Sequence, residues 1–118
     1  MKITMVKKIL RDGSPCKKCG EVLGYMEKGD QLRLMNEILV ADERDPWSDG
    51  MLLAAELGVT QAPFFVVTHD DGSRKVYTIY LQFVKEVLAL PVEEKDELKE
   101  RRIQVRSAIL IKKWSGVR

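Results

Sequence analysis

The sequence predicts an α/β fold in which helices flank a central four-stranded mixed β-sheet. Segments with strand-like apolar runs and segments with apolar residues at helical spacing follow one another in the order β-α-β-α-β-β-α. The run 37–41 is almost continuously apolar, which is typical of a strand in a parallel sheet. Asp71 and Gly72 lie between two strand-like segments and predict a hairpin turn. Together these patterns favour a mixed sheet covered by helices.

The first three elements form a predicted βαβ unit. Residues 3–10 are rich in apolar side chains and β-formers and predict a strand. From Cys16 onwards, apolar residues recur at steps of three and four, which predicts a helix that stops at Gly29. Residues 30–36 allow either a short further turn of helix or a plain connection. Residues 37–41 are the second strand, which we expect to run parallel to the first.

The second half of the pattern adds a helix, a hairpin and a last helix. Asp45 as N-cap and Pro46 as first helical residue predict the start of the second helix, and Gly58 predicts its end. Residues 64–68 predict a strand, and residues 74–80 alternate polar and apolar side chains, as a half-exposed partner strand does. The third helix is predicted from four apolar residues and a terminating proline: Phe83, Val84, Val87, Leu88 and Pro91.

The chain divides by its pattern into residues 1–91, one domain, and residues 92–118, a C-terminal helical extension packed on the same domain. The extension begins with acidic residues, but residues 101–118 contain six basic residues and no acidic one. Two interpretations stay open. The extension is either a further helix of the same core or a surface for a partner protein or a second copy of the chain.

Composition excludes several classes of protein. The 118 residues carry 20 basic and 18 acidic side chains, which does not indicate a nucleic-acid binder. No apolar run approaches the ~18 residues of a membrane span, so no membrane association is expected. The first residues lack the apolar stretch of a signal peptide. We therefore expect a cytoplasmic protein.

The two cysteines, Cys16 and Cys19, are the residues most able to carry chemistry. Two cysteines exclude a disulfide scaffold, and with one histidine they cannot complete a standard zinc site. At a helix start, free N–H groups and the helix dipole stabilise a thiolate, and Lys17 and Lys18 add positive charge. The pattern predicts Cys16 as an exposed nucleophile whose pKa lies below that of Cys19, a more buried resolving thiol. The alternative is a pair of buried thiols that act as small apolar side chains.

The element order and the Cys-Lys-Lys-Cys at the first helix resemble the thioredoxin superfamily. A second region is similar too: the helix ending Ala-Ala-Glu-Leu-Gly-Val, followed by a proline before the third strand. The resemblance implies a thioredoxin-like fold and a cis peptide bond before Pro63, facing the thiols. It also implies that the backbone of Ala62 pairs with an extended peptide or glutathione. The substrate-binding residues it implies are Pro15, Lys17, Lys18, Ala62 and Pro63.

The resemblance implies a thiol–disulfide oxidoreductase of glutaredoxin or thioredoxin type. Its substrates would be disulfides of proteins or small molecules, with no required cofactor and no metal, and glutathione would be a candidate electron donor. The Gly-Gly-acid sequence that glutaredoxins use for glutathione is absent from residues 78–82. Two alternatives stay open. Two chains could share a [2Fe–2S] cluster through four thiolates, or the fold could be a non-catalytic adaptor that docks a partner through residues 92–118.

Overall fold

The computed structural model describes residues 1–102, which form an α/β structure with a four-stranded mixed sheet in the order β2-β1-β3-β4. The strands are β1 (Lys2–Ile9), β2 (Glu37–Asp42), β3 (Phe64–Thr68) and β4 (Arg74–Tyr77). The helices are α1 (Lys17–Lys28), α2 (Asp49–Leu57) and α3 (Tyr80–Glu86), with a 3-10 turn at Leu32–Leu34. This confirms the predicted α/β class and the four-stranded mixed sheet.

The chain divides into two compact units, Met1–Tyr80 and a second one that begins at Leu81. The first unit contains the whole sheet and the helices α1 and α2. The boundary predicted from the sequence, after residue 91, stays a prediction. In residues 1–102, no helix combines the length and the apolar character that crossing a lipid bilayer requires.

The register of the sheet places β1 at its centre. Val6 of β1 lies opposite Leu39 of the parallel strand β2 and opposite Phe64 of the antiparallel strand β3. β3 pairs antiparallel with β4, where Val66 lies opposite Val76. The parallel β1–β2 pair and the β3–β4 hairpin are therefore both as predicted.

The apolar run at 37–41 is typical of a buried parallel strand, but β2 is less buried than this pattern indicates. β2 is an edge strand, and Ile38 is 41% exposed. The apolar run at 37–41 indicated a strand correctly, but it could not show that only one long edge of that strand is paired.

Helix α2 packs closely on β2 and covers one face of the sheet. Val6, Ala41, Phe64 and Val66 form the buried cluster on this face, and side chains of α2 pack against it. Gly50 makes the close approach possible, because a Cβ atom there would lie 2.3 Å from the backbone nitrogen of Ala41. Only a residue without a side chain lets the two backbones lie so near each other.

The start of α2 was predicted wrongly. The helix begins at Asp49 with Ser48 as its N-cap, not at Asp45 and Pro46. The Asp45 carboxylate instead accepts a hydrogen bond from the backbone N–H of Trp47 at 2.9 Å. The backbone carbonyl of Asp45 accepts one from the N–H of Ser48 at 3.1 Å. Asp45 is therefore the first residue of a tight turn, which uses the same side-chain capability as an N-cap.

The end of the hairpin was also predicted wrongly. β4 stops at Tyr77, and Tyr80, which was assigned to this strand, is the first residue of α3. Tyr80 is buried, and its hydroxyl donates a 2.6 Å hydrogen bond to the Oε1 atom of Gln31. The aromatic ring stacks with that of Tyr25. These contacts join Tyr80 to residues that are distant in the sequence. They favour a helical Tyr80, which the local alternation of polar and apolar residues did not indicate.

In the second unit, residues 94–102 are helical, as predicted for the start of the extension. Glu97 is nearly buried there and pairs with Lys85 at 2.7 Å and with Arg101 at 3.1 Å. These cations hold the pKa of the Glu97 carboxyl below its usual value, with Lys85 the larger cause. The other expectations for the extension concern residues 103–118, which lie outside the described residues.

Candidate functional site

A structured loop between β1 and α1 brings Cys16 to the end of the central strand. The backbone N–H of Leu10 donates to the carbonyl of Ser14 at 2.8 Å, which closes the loop. The Asp12 carboxylate accepts hydrogen bonds from the hydroxyl and the backbone N–H of Ser14, and these bonds lower the pKa of Asp12. The backbone N–H of Cys16 then donates to the carbonyl of Lys8 at 3.0 Å. Cys16 is thus anchored to β1 by its own backbone.

Cys16 is the N-cap of α1, as the sequence predicted, and Gly29 is its C-cap. The backbone of Cys16 is extended, and its carbonyl accepts the N–H of Gly20 at 3.1 Å. The thiol does not cap the helix. Instead, its Sγ atom lies 4.0 Å from the carbonyl oxygen of Ala62. The half-buried thiol therefore faces the segment before β3.

Cys19 lies one helical turn further on and is 2% exposed. Its Sγ atom accepts a hydrogen bond from the backbone N–H of Lys8 at 3.4 Å. Burial is the main cause that raises the pKa of Cys19 to about 12; interactions with Cys16 also raise it, whereas the Lys8 amide and charge lower it. Cys19 is thus buried, as predicted for the resolving thiol, whereas Cys16 is half-buried and less exposed than predicted for the nucleophile.

The segment before β3 completes the site. The Ala62–Pro63 peptide bond is cis, which confirms the prediction, and Pro63 is buried directly before Phe64, the first residue of β3. Ala62 is half-buried and faces Cys16. The resemblance therefore predicted correctly that this distant segment lies beside Cys16.

The other three residues predicted to bind substrate surround the first cysteine. Pro15 is exposed and forms an isolated bridge with Ile9. Lys17 is exposed on the first turn of α1, and Lys18 is half-buried. The lysine that acts on the pKa of Cys19 is Lys8, which lies on β1.

A groove of about 330 Å³ lies beside the site, between α2 and the segment 59–62. Its walls are mostly apolar, with two charged side chains among them, and Ala62 is shared between the groove and the surroundings of Cys16. The lining residues are Lys8, Ala41, Glu43, Met51, Ala54, Ala55, Val59, Thr60, Gln61, Ala62 and Phe64. Ala62 therefore connects the groove to the surroundings of Cys16.

Lys8 is the site residue that sequence reasoning missed, since it was assigned only to the first strand. Its Nζ atom donates to the carbonyl of Thr60 at 3.1 Å. The available signal was a charge two residues after Val6, on the strand face where a further apolar side chain would be expected.

Cys16 and Cys19 can supply two of the four thiolates that a [2Fe–2S] cluster takes. Among residues 1–102, no group of three or more histidine, cysteine or acidic side chains could hold a metal ion. Because Cys19 is almost fully buried, its sulfur would have to leave the interior to share a cluster with a second chain.

Comparison with known proteins found no matching family model, no matching curated protein and no matching solved structure. The functional interpretation therefore depends on the geometry of the site.

Proposed function

We propose that the protein is a thiol–disulfide oxidoreductase of the thioredoxin superfamily that uses Cys16 and Cys19 as a dithiol. The observation that carries the proposal is the half-buried Cys16 thiol at a helix N-cap, 4.0 Å from the Ala62 carbonyl, with Cys19 buried one turn away. The mixed sheet and the buried Pro63 at the start of β3 are compatible with a thioredoxin-like fold.

In the first step, the Cys16 thiolate attacks one sulfur of a substrate disulfide. A bond forms between Cys16 Sγ and that sulfur, and the substrate disulfide bond breaks. The second substrate sulfur leaves as a thiolate with the electron pair of the broken bond and takes a proton from water. The attacking sulfur belongs to the N-cap residue of α1, at the positive end of the helix dipole.

In the second step, Cys19 loses its proton to water and attacks Cys16 Sγ. The bond between the two cysteines forms, and the bond between Cys16 and the substrate breaks, so that the substrate leaves as its second thiol. The substrate has gained two electrons, and the protein dithiol has lost them. A thiol reductant, for which glutathione is a candidate, restores the dithiol by the reverse exchange.

In this proposal, the backbone of Ala62 binds the substrate chain beside the reacting sulfur. Its carbonyl lies next to Cys16, and an extended peptide could pair with this segment as an added strand. Pro15, Lys17 and Lys18 surround Cys16 on the loop and on the first turn of α1. A dithiol that acts as a reductant suits a reducing compartment, and we propose the cytoplasm.

The test is reduction of a disulfide-bonded peptide by wild type, Cys16→Ser and Cys19→Ser. We expect Cys16→Ser to lose activity and Cys19→Ser to accumulate a mixed disulfide with the peptide, detected by its mass. Circular dichroism is the folding control, because replacing the buried Cys19 can disturb the fold. The spectra of both variants must match that of the wild type. Equal activity of Cys16→Ser and wild type would favour the adaptor function instead, and visible absorbance of the purified protein would favour the cluster.

A further inference from the structure

One residue, Lys8, contacts all three parts of the dithiol site. Its backbone N–H donates to Cys19 Sγ at 3.4 Å, and its carbonyl accepts the N–H of Cys16 at 3.0 Å. Its side-chain ammonium donates to the carbonyl of Thr60 at 3.1 Å, two residues before Ala62. The segment 60–62 is far from the two thiols in the sequence.

The contacts of Lys8 separate into two groups. Any residue except proline can form the two backbone hydrogen bonds at position 8, because they require only an N–H and a carbonyl. The bond to Thr60 and the positive charge require this side chain. Within residues 1–102 the Lys8 ammonium makes no ion pair, and its hydrogen-bond partner, the Thr60 carbonyl, is neutral. The charge of Lys8 is therefore not paired with a carboxylate among these residues, and it acts on the groups around it.

The direction of the side chain follows from the register of β1. Val6 belongs to the cluster beneath α2, and Lys8, two residues on, lines the groove on the same face. The carboxylate residue Glu43 also lines the groove. Besides Lys8, the titratable group that acts on the pKa of Cys19 within the described residues is Cys16. Lys7 points to the opposite face of β1 by the same alternation and offers a matched comparison.

We propose that Lys8 is a positioning residue of this site, whose ammonium group fixes the segment 60–62 beside the thiols and whose charge promotes the resolving step at Cys19. The proposal rests on the dithiol function proposed above. In that step Cys19 must lose its proton and carry a negative charge inside the protein. A nearby cation favours the charged form of a buried group, and Lys8 acts on the pKa of Cys19 in this direction.

The test uses 2,2′-dithiodipyridine, an uncharged disulfide that reports both steps separately. Attack by Cys16 releases one thiopyridone and leaves the other pyridylthio group bonded to Cys16 Sγ. Attack by Cys19 then forms the Cys16–Cys19 bond and releases the second thiopyridone. The absorbance of thiopyridone therefore gives a rate for each step, and both are measured from pH 6 to pH 10.

We expect Lys8→Met to slow the second release by about fivefold, the size of a partly screened charge interaction, and to move its pH profile upwards. Lys8→Arg should restore most of the rate, because it keeps the charge and the donor, and Lys7→Met should behave as the wild type. If Lys8→Met does not fold, Lys8→Gln removes the same charge with a more polar side chain.

The outcomes distinguish the two proposals. If the wild type releases thiopyridone without forming the Cys16–Cys19 bond, the dithiol function is wrong and the role of Lys8 falls with it. If the wild type shows both steps but Lys8→Met matches Lys7→Met in rate and pH profile, the dithiol function stands and the role of Lys8 is wrong. A slower second step that Lys8→Arg does not restore would also contradict a role of the charge.

Discussion

The two thiols should differ strongly in reactivity towards an alkylating reagent. Cys19 is 2% exposed, and its pKa is raised to about 12 from the ordinary value of 9.0. At neutral pH it therefore carries about a thousandfold less thiolate than an ordinary thiol. A more basic thiolate is intrinsically more nucleophilic, which recovers about twentyfold of this loss. Cys19 should thus react about fiftyfold more slowly than an ordinary thiol, and burial should slow it further.

The assay is limited alkylation of the reduced, folded wild-type protein with iodoacetamide at pH 7.5. Trypsin cleaves after Lys17 and Lys18, so that Cys16 and Cys19 are quantified in separate peptides by mass spectrometry. We expect Cys16 to be modified first. The urea-unfolded chain is the control, and there the two thiols should react at similar rates. Equal rates in the folded protein, or faster reaction of Cys19, would refute the assignment of nucleophile and resolving thiol.

Three further predictions concern stability and redox potential. Gly50→Ala should destabilise the protein by about 2–3 kcal/mol in urea unfolding, because the added Cβ meets backbone. Gly24→Ala, in open space on α1, should stabilise it by up to about 1 kcal/mol, and equal effects would contradict this packing. The folded-state pKa of Cys19 lies above its unfolded value, so its contribution to stability is complete below pH 9 and is lost towards pH 12. Cys19→Ala should therefore flatten the fall in the free energy of unfolding over that range, and an unchanged slope would count against the raised pKa. Replacing Lys17 and Lys18 by glutamine should make the redox potential more negative by at most about 20 mV, most clearly at low salt. An unchanged potential at low salt would show that these lysines do not stabilise the thiolate.

Signals that act within a few residues were sufficient for much of the fold. Gly58 ends α2 in the left-handed conformation, which glycine adopts without steric cost. Asp71 and Gly72 lie in the loop between β3 and β4, and Gly72 has a positive φ. Cys16 occupies the N-cap position of α1, where the spacing of apolar residues begins. Each of these features depends on the conformational preference of one or two residues, and so the sequence could indicate it.

The resemblance to thioredoxins also predicted a contact between residues that are distant in the sequence. It predicted that Ala62 and Pro63 lie beside Cys16, and Ala62 does face that thiol. No local signal joins these positions, since 46 residues separate Cys16 from Ala62. The site was therefore predictable where a known pattern of motifs matched, and not from propensities alone.

Only the tertiary structure decided the edge position of β2, the later start of α2 and the role of Lys8. The edge position depends on strand order, which the composition of one strand does not encode. Ser48 is the N-cap residue of α2, and Asp45 forms a turn of its own, although the same aspartate would suit a helix start. Lys8 was indistinguishable from its neighbour Lys7 until the register of β1 placed one of them against Thr60 and the thiols. A strand alternates its side chains between two faces, and only the packed neighbours determine which face meets the site.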